Sequence, residues 1–395
     1  MNHDKKDGDM NLKQIIRTPH GVLCAAVAGV MFGLAQQPVL AQARPGAEPV
    51  RIGGLFSTTG GLAAVGLAER EGALLAQKVI NAGGGIGGRP LELVVEDDGS
   101  SPDTAVAKAN ALLHTHKVRA IVGPSGIAQT VAIGGITQAQ KVPLFAFSGL
   151  GPAVERERTC VFHLTPSQEL NARAVLSYAR DNGLKRIGVL HDSGYGQVVW
   201  SSMKTLDRQY GVTFVQVEKF EIAATDVTTQ AAKLKAATPD AIVVISTSPA
   251  PFRNVRQLKV GAPIISVHGT ATYETVKGMG EAADNIIHPE FIVSEDPLPA
   301  QKEFVEAYRK EYGKLPKHFA AVGWDAVMAL ASGLKAAGAD VAGEKLCSAL
   351  RRPYQGVTMG YDFSAPDMGG MTLAGFTYSK LQKGQFVRLD YKARP

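Results

Sequence analysis

Ser125 stands in IVGPSGIAQ (121–129), where an apolar run ends and a helical pattern begins. A serine at such a junction has three uses. Its hydroxyl can cap the helix, act as a nucleophile on a strand-to-helix elbow, or bind a carboxylate beside the free N–H groups of the first turn. The stretch lacks the second glycine of G-x-S-x-G, which weighs against the nucleophile. In FSGLGP (147–152) two glycines follow another strand-like run, so the backbone N–H groups around Ser148 to Gly151 can face a ligand. HDSGYGQ (191–197) carries Tyr195 at a loop tip, either as a ligand contact or as a buried structural ring. Asp97 and Asp98 read as a loop cap and turn pair, with a cation site as the alternative. The nine histidines form no H-E-x-x-H or Cys/His cluster, and His114 and His116 are two apart, so they would not share a helix face. No metal, no cofactor and no base–nucleophile pair is expected, so the chain does not read as an enzyme.

Gly83, Gly85 and Gly88 do match the G-x-G-x-x-G spacing of a dinucleotide-binding turn. In that motif the glycines follow a strand and open a helix. Here LAEREGALLAQKVINAG precedes them with helical spacing, and the alternating LELVVE follows. The glycines therefore end a helix and lead into a strand.

The elements that must position these residues alternate along the chain. Strand-like runs are RIGGLF (51–56), LELVVE (91–96), RAIVG (119–123), PLFAF (143–147), RIGVLH (186–191), TFVQVEKF (213–220), AIVVIS (241–246) and PIISV (263–267). Amphipathic helical segments lie between them, such as 104–116, 170–182, 198–210 and 227–237. Runs this apolar imply parallel sheets covered by helices on both faces. One strand–helix series runs to Phe147 and a second starts at Arg186; long helices and three short strands close the chain. Two doubly wound α/β lobes with a cleft between them fit this layout, with ligands at the carboxyl ends of the strands.

Residues 1–43 read as a secretory signal peptide: basic Lys5, Lys6, Lys13 and Arg17, the apolar run Gly21 to Ala35, then Ala41-Gln42-Ala43 as cleavage pattern. The formal net charge is +6 at pH 7, with basic residues scattered rather than patched, so no nucleic-acid partner is expected. Cys160 and Cys347 could pair in an oxidising compartment, but two distant cysteines fix nothing by themselves.

Taken in order, these pieces resemble the leucine/isoleucine/valine-type periplasmic binding proteins of ABC importers. RIGGLF through ANALL is similar to the family's opening lobe, and IVGPSG, HDSGYGQ, TPDAIVVIS, FVEAYRKEYGKLP and AAVGWDAVMALASGLKAAG are further matches in register, over roughly residues 50 to 365. The resemblance implies a type I periplasmic binding fold, two α/β lobes joined by three crossings. Lobe 1 would span 50–164 with 295–355 returning to it, and lobe 2 would span 165–294 with 356–395 returning. It further implies ligand contacts at Ser125 and Gly126, at Ser148, Gly149, Leu150 and Gly151, at Tyr195, at Thr247 and at Phe319. His268 falls where amino-acid-binding members carry the glutamate that pairs with the ligand's α-ammonium, and Val65 stands where an aromatic often sits. A histidine is neutral or cationic and cannot replace that ion pair. The expected role is a monomeric, periplasmic solute-binding protein that delivers a small hydrophobic carboxylate or amino acid to a membrane permease. A sensor with the same fold is the alternative, and an enzyme built on it is the remote one.

Overall fold

The computed structural model describes residues 47–150 and 156–394; the expected signal peptide and Gly151 lie outside them. Strands β1 (Val50–Phe56), β2 (Leu91–Asp97), β3 (Ile121–Val122), β4 (Leu144–Ala146) and β5 (Val161–His163) form a parallel sheet in the order β2-β1-β3-β4-β5. Strands β6 (Arg186–Asp192), β7 (Thr213–Phe220), β8 (Ala241–Ile245), β9 (Ile264–Ile265) and β10 (Ile287–Glu290) are the parallel part of a second sheet. The antiparallel strands β13 (Thr377–Gln382) and β14 (Gln385–Arg388) extend it, giving the order β14-β13-β10-β9-β8-β6-β7. Between them in sequence, β11 (Pro353–Gln355) and β12 (Gly360–Asp362) pair as a separate ribbon.

The helices are α1 (Ala63–Ala82), α2 (Pro102–Asn110), α3 (Ile127–Ala139), α4 (Gln168–Asp181), α5 (Tyr195–Met203), α6 (Asp207–Tyr210), α7 (Thr228–Ala236), α8 (Ala250–Gln257), α9 (Tyr273–Met279), α10 (Lys302–Tyr312), α11 (His318–Ala337) and α12 (Gly343–Leu350). Successive strand residues alternate between two cores, as a sheet covered on both faces requires. In β8, Val243 and Ile245 enter one apolar cluster while Ile242 and Val244 enter another. In β1, Ile52 and Phe56 face one core and Leu55 the other. Each such side chain contributes about 1.5–3 kcal/mol on full burial.

The glycine run closes α1 as its order implies: Gly84, Gly85, Gly87 and Gly88 have positive φ, and β2 follows. Glycines also let α1 and α11 approach closely. A Cβ on Gly72 would lie 1.8 Å from the Ala320 carbonyl oxygen, and one on Gly323 would lie 2.0 Å from the Glu69 carbonyl oxygen. Tyr312 donates to the Glu71 carbonyl at 2.8 Å, so α10 lies on the same side. The long apolar helix α11 is thus a buried core element of the first lobe. Cys160 and Cys347 form a disulfide across 187 residues, tying α12 to the start of β5.

Beyond residue 356, the return point expected from sequence, the chain still touches the first sheet. Phe363 packs edge-on against Phe145 and Phe162 of the first lobe, and Tyr361 donates to the Leu164 carbonyl oxygen. Phe363 also stacks on Tyr361, and the chain pairs with the second sheet at β13.

Candidate functional site

Most of the residues singled out from sequence sit where a parallel strand ends. Ser125 and Gly126 lie between β3 and α3, and Gly126 is the N-cap of α3 with extended backbone. The first N–H groups of a helix have no partner within it, so this turn favours an anion. The Ser125 hydroxyl, however, is not free. It donates to the Glu69 carboxyl at 2.5 Å and accepts from the Ser57 N–H at 3.1 Å. Glu69, on α1, was not expected at the site from sequence; it is 1 % exposed, and burial pushes its carboxyl well above the usual range, with Asp98 adding to the shift. Asp98 accepts from the Ser57 hydroxyl at 2.6 Å and the Ser100 N–H at 2.8 Å, and Asp97 accepts from Thr58, Thr59 and Gly99. These two aspartates hold the loop together, which is their cap-and-turn reading.

The second loop of the first lobe follows β4. Ser148 is buried, and its carbonyl accepts from His163 Nδ1 at 2.5 Å. Gly149 bridges to Ser167, and a Cβ there would meet the Thr165 carbonyl oxygen at 2.5 Å. Leu150 is half-buried.

In the second lobe, Asp192 at the end of β6 accepts from the N–H groups of Gly194 and Gly196 and so fixes the turn that presents Tyr195. The half-buried Tyr195 hydroxyl donates to the His268 carbonyl at 3.2 Å, and burial raises its pKa, so it stays a neutral donor. Thr247, just beyond β8, is exposed, and its methyl lies beside Gly269. The loop with His268 follows β9 and is tied down by Thr270, whose hydroxyl donates to the Ser246 carbonyl at 3.0 Å. The half-buried Phe319 in the first turn of α11 lies 3.9 Å, centroid to centroid, from the His318 ring.

His318 is the second residue that sequence reading missed. It is fully buried, and its ring lies 5.1 Å from that of His268. A helix from the first lobe thereby meets a loop from the second sheet. The signal was a lone histidine opening the otherwise apolar run HFAAVGWDAVMALASGLKAA. Burial lowers His268 to about 4, and His318 is held well below its ordinary value. Neither Glu274 nor Glu295 acts on the His268 ring. Glu274 is exposed on α9, and Glu295 accepts from the Phe386 N–H.

The periplasmic binding protein family model matches residues 49–378. Leu/Ile/Val-binding protein homolog 7 of Brucella suis is 25% identical over 307 residues, covering 73% of this chain and 77% of that protein. The substrate-binding protein LivJ of a branched-chain amino acid transporter from Streptococcus pneumoniae, solved with isoleucine, is 26% identical with a TM-score of 0.76, covering 87% of this chain and 100% of that one. A solute-binding protein of an ABC transporter from R. palustris, solved with benzoate, has the same fold at 22% identity and a TM-score of 0.75, covering 87% and 96%. With its two α/β lobes in the type I arrangement, the chain belongs to the periplasmic binding protein family.

Proposed function

We propose that this chain is an exported solute-binding protein, its leader removed near Ala43, that captures a small hydrophobic carboxylate without an α-ammonium and hands it to an ABC permease. The kinship with Leu/Ile/Val-binding homologues and with isoleucine- and benzoate-bound structures supports the binding role. The observation that carries the ligand class is His268: no carboxylate among the described residues acts on this buried ring. A buried ammonium left without an anion costs several kcal/mol. The carboxylate has a better environment in the first lobe, at the α3 N-terminus and the 148–151 backbone. There the Ser125 hydroxyl, which accepts from the Ser57 N–H and donates to the buried Glu69 carboxyl, stands beside the open N–H groups of the turn. Tyr195, Thr247 and His268 of the second lobe, with His318 and Phe319 at the start of α11, complete the proposed site.

Calorimetric titration with leucine, ketoisocaproate, isocaproate and phenylacetate tests this reading. The acids without the amine are expected to bind and leucine to bind poorly, with His268→Glu shifting preference toward leucine. Micromolar binding of leucine with no binding of the other acids would overturn the ligand class while leaving the transport role.

A further inference from the structure

His268 and His318 come from different elements and end ring to ring, 5.1 Å between centroids. His268 is 9% exposed and His318 0%, and both nitrogens of both rings lack a hydrogen-bond partner among the described residues. Buried polar atoms are nearly always bonded, so four orphans at one point mark a place built to receive a polar group. Its walls are apolar. Phe291 lies 4.8 Å from the His268 ring and 6.3 Å from that of His318, and Phe319 covers His318.

The charged neighbours do not serve this spot. Lys317 precedes His318, but its ammonium pairs with the buried Glu290 at 2.7 Å. Tyr195 reaches in from α5, with its hydroxyl taken by the His268 carbonyl. No carboxylate among the described residues acts on either ring; burial lowers both imidazoles, with His268 and Lys317 adding to the shift at His318.

A neutral imidazole carries one N–H and one bare nitrogen, so the pair offers two donors and two acceptors. An ammonium has donors only and would leave both N–H groups unpaired. A carboxylate has acceptors only and would leave both bare nitrogens unpaired. A primary amide brings two donors and two lone pairs, and a hydroxyl brings one donor and two lone pairs. Resting on the reading of this chain as a carboxylate-binding protein, we infer that His268 and His318 form a second ligand subsite that takes an uncharged hydroxyl or primary amide borne by that carboxylate. His318 is then a specificity-determining residue, and the preferred ligands are hydroxy acids or amide-bearing acids rather than plain ones.

Matched pairs of acids test this on the mature chain: mandelate against phenylacetate, para-hydroxybenzoate against benzoate, and glutaramate against valerate, each titrated by calorimetry in phosphate and in Tris at one pH. In at least one pair the hydroxyl or amide should improve affinity about tenfold or more, because its absence leaves buried groups unpaired. The heat should be the same in both buffers after correction, showing no net proton uptake. His318→Phe, which keeps the ring volume and deletes the nitrogens, should bring the affinity ratio to about one, and His318→Gln should retain part of it. Plain acids that bind as well as their partners in all three pairs would overturn the subsite and leave the proposed function standing. Proton uptake on binding would also overturn it, since the pair would then be receiving a charge. If none of the six acids binds, the carboxylate reading falls and takes this inference with it. The wild-type ratios stand without any mutation, so a His318→Phe chain that fails to fold does not shield the proposal.

Discussion

Because the Ser125 hydroxyl lies between the Ser57 N–H and the Glu69 carboxyl, its removal acts on stability as well as on affinity. A serine standing free at a helix start could be truncated at no cost to the empty protein; this one cannot. Ser125→Ala is expected to weaken carboxylate binding about tenfold to a hundredfold, the range of a charge-assisted hydrogen bond. It should also lower the stability of the ligand-free protein by about 1–3 kcal/mol, since two buried polar groups lose a partner. Calorimetry and urea melts measure the two effects separately. A variant with unchanged affinity would remove Ser125 from the ligand contacts.

At the scale of elements, the start of α11 depends on a buried ion pair. The Lys317 and Glu290 side chains are 6% and 1% exposed, and Lys317 also sits over the Phe386 ring. Lys317→Met leaves Glu290 uncompensated and is expected to cost about 3–5 kcal/mol, whereas the double variant Lys317→Met/Glu290→Met should recover most of the loss. Urea unfolding checks both; a fully exposed pair would give a small effect in each. The disulfide closes a far longer loop. Replacing Cys160 and Cys347 by alanine should cost about 2–5 kcal/mol, also read from urea melts, with no change in the sheets they brace.

The apolar strands were legible in the sequence because parallel strands buried on both faces leave a continuous β-branched signature, as AIVVI in β8 does. β10 was not: its four residues are Ile, His, Pro and Glu, and proline and charge argue against a central strand. His288 and Glu290 are tolerated there because Ser266, Ser379 and Lys317 supply partners from other elements, which no local pattern reveals. The same reason hid Glu69 and His318. The loops at the strand ends were found, yet which side chains converge on them depends on how α1 and α11 pack.

For the whole molecule, buried histidines set the acid side of its stability. His268 is lowered from 6.5 to about 4 and His288 to about 3, with burial as the main cause in each. A group with a depressed folded pKa contributes fully above its unfolded value and loses that contribution as pH falls. Between pH 6.5 and about 4 the unfolded chain takes up protons that the folded one refuses. Glu69, Glu290 and Asp325, the last raised to about 6, act in the opposite sense, losing stability as pH rises through the same region. The histidine part is therefore best read as a difference. Between pH 7 and 4.5, His268→Gln should lose about 2–3 kcal/mol less stability than wild type, measured by urea melts at each pH. Parallel losses in the two proteins would mean that His268 is not buried as described.

Ligand contacts made to both lobes favour the closed state, so the proposed carboxylate site implies two lobes that close over it. Small-angle X-ray scattering of the mature protein, alone and saturated with whichever acid of the panel binds most tightly, tests that directly. The radius of gyration should fall with the acid and stay at its ligand-free value with leucine at the same concentration. An unchanged radius at saturating acid, or a contraction produced by leucine alone, would contradict it.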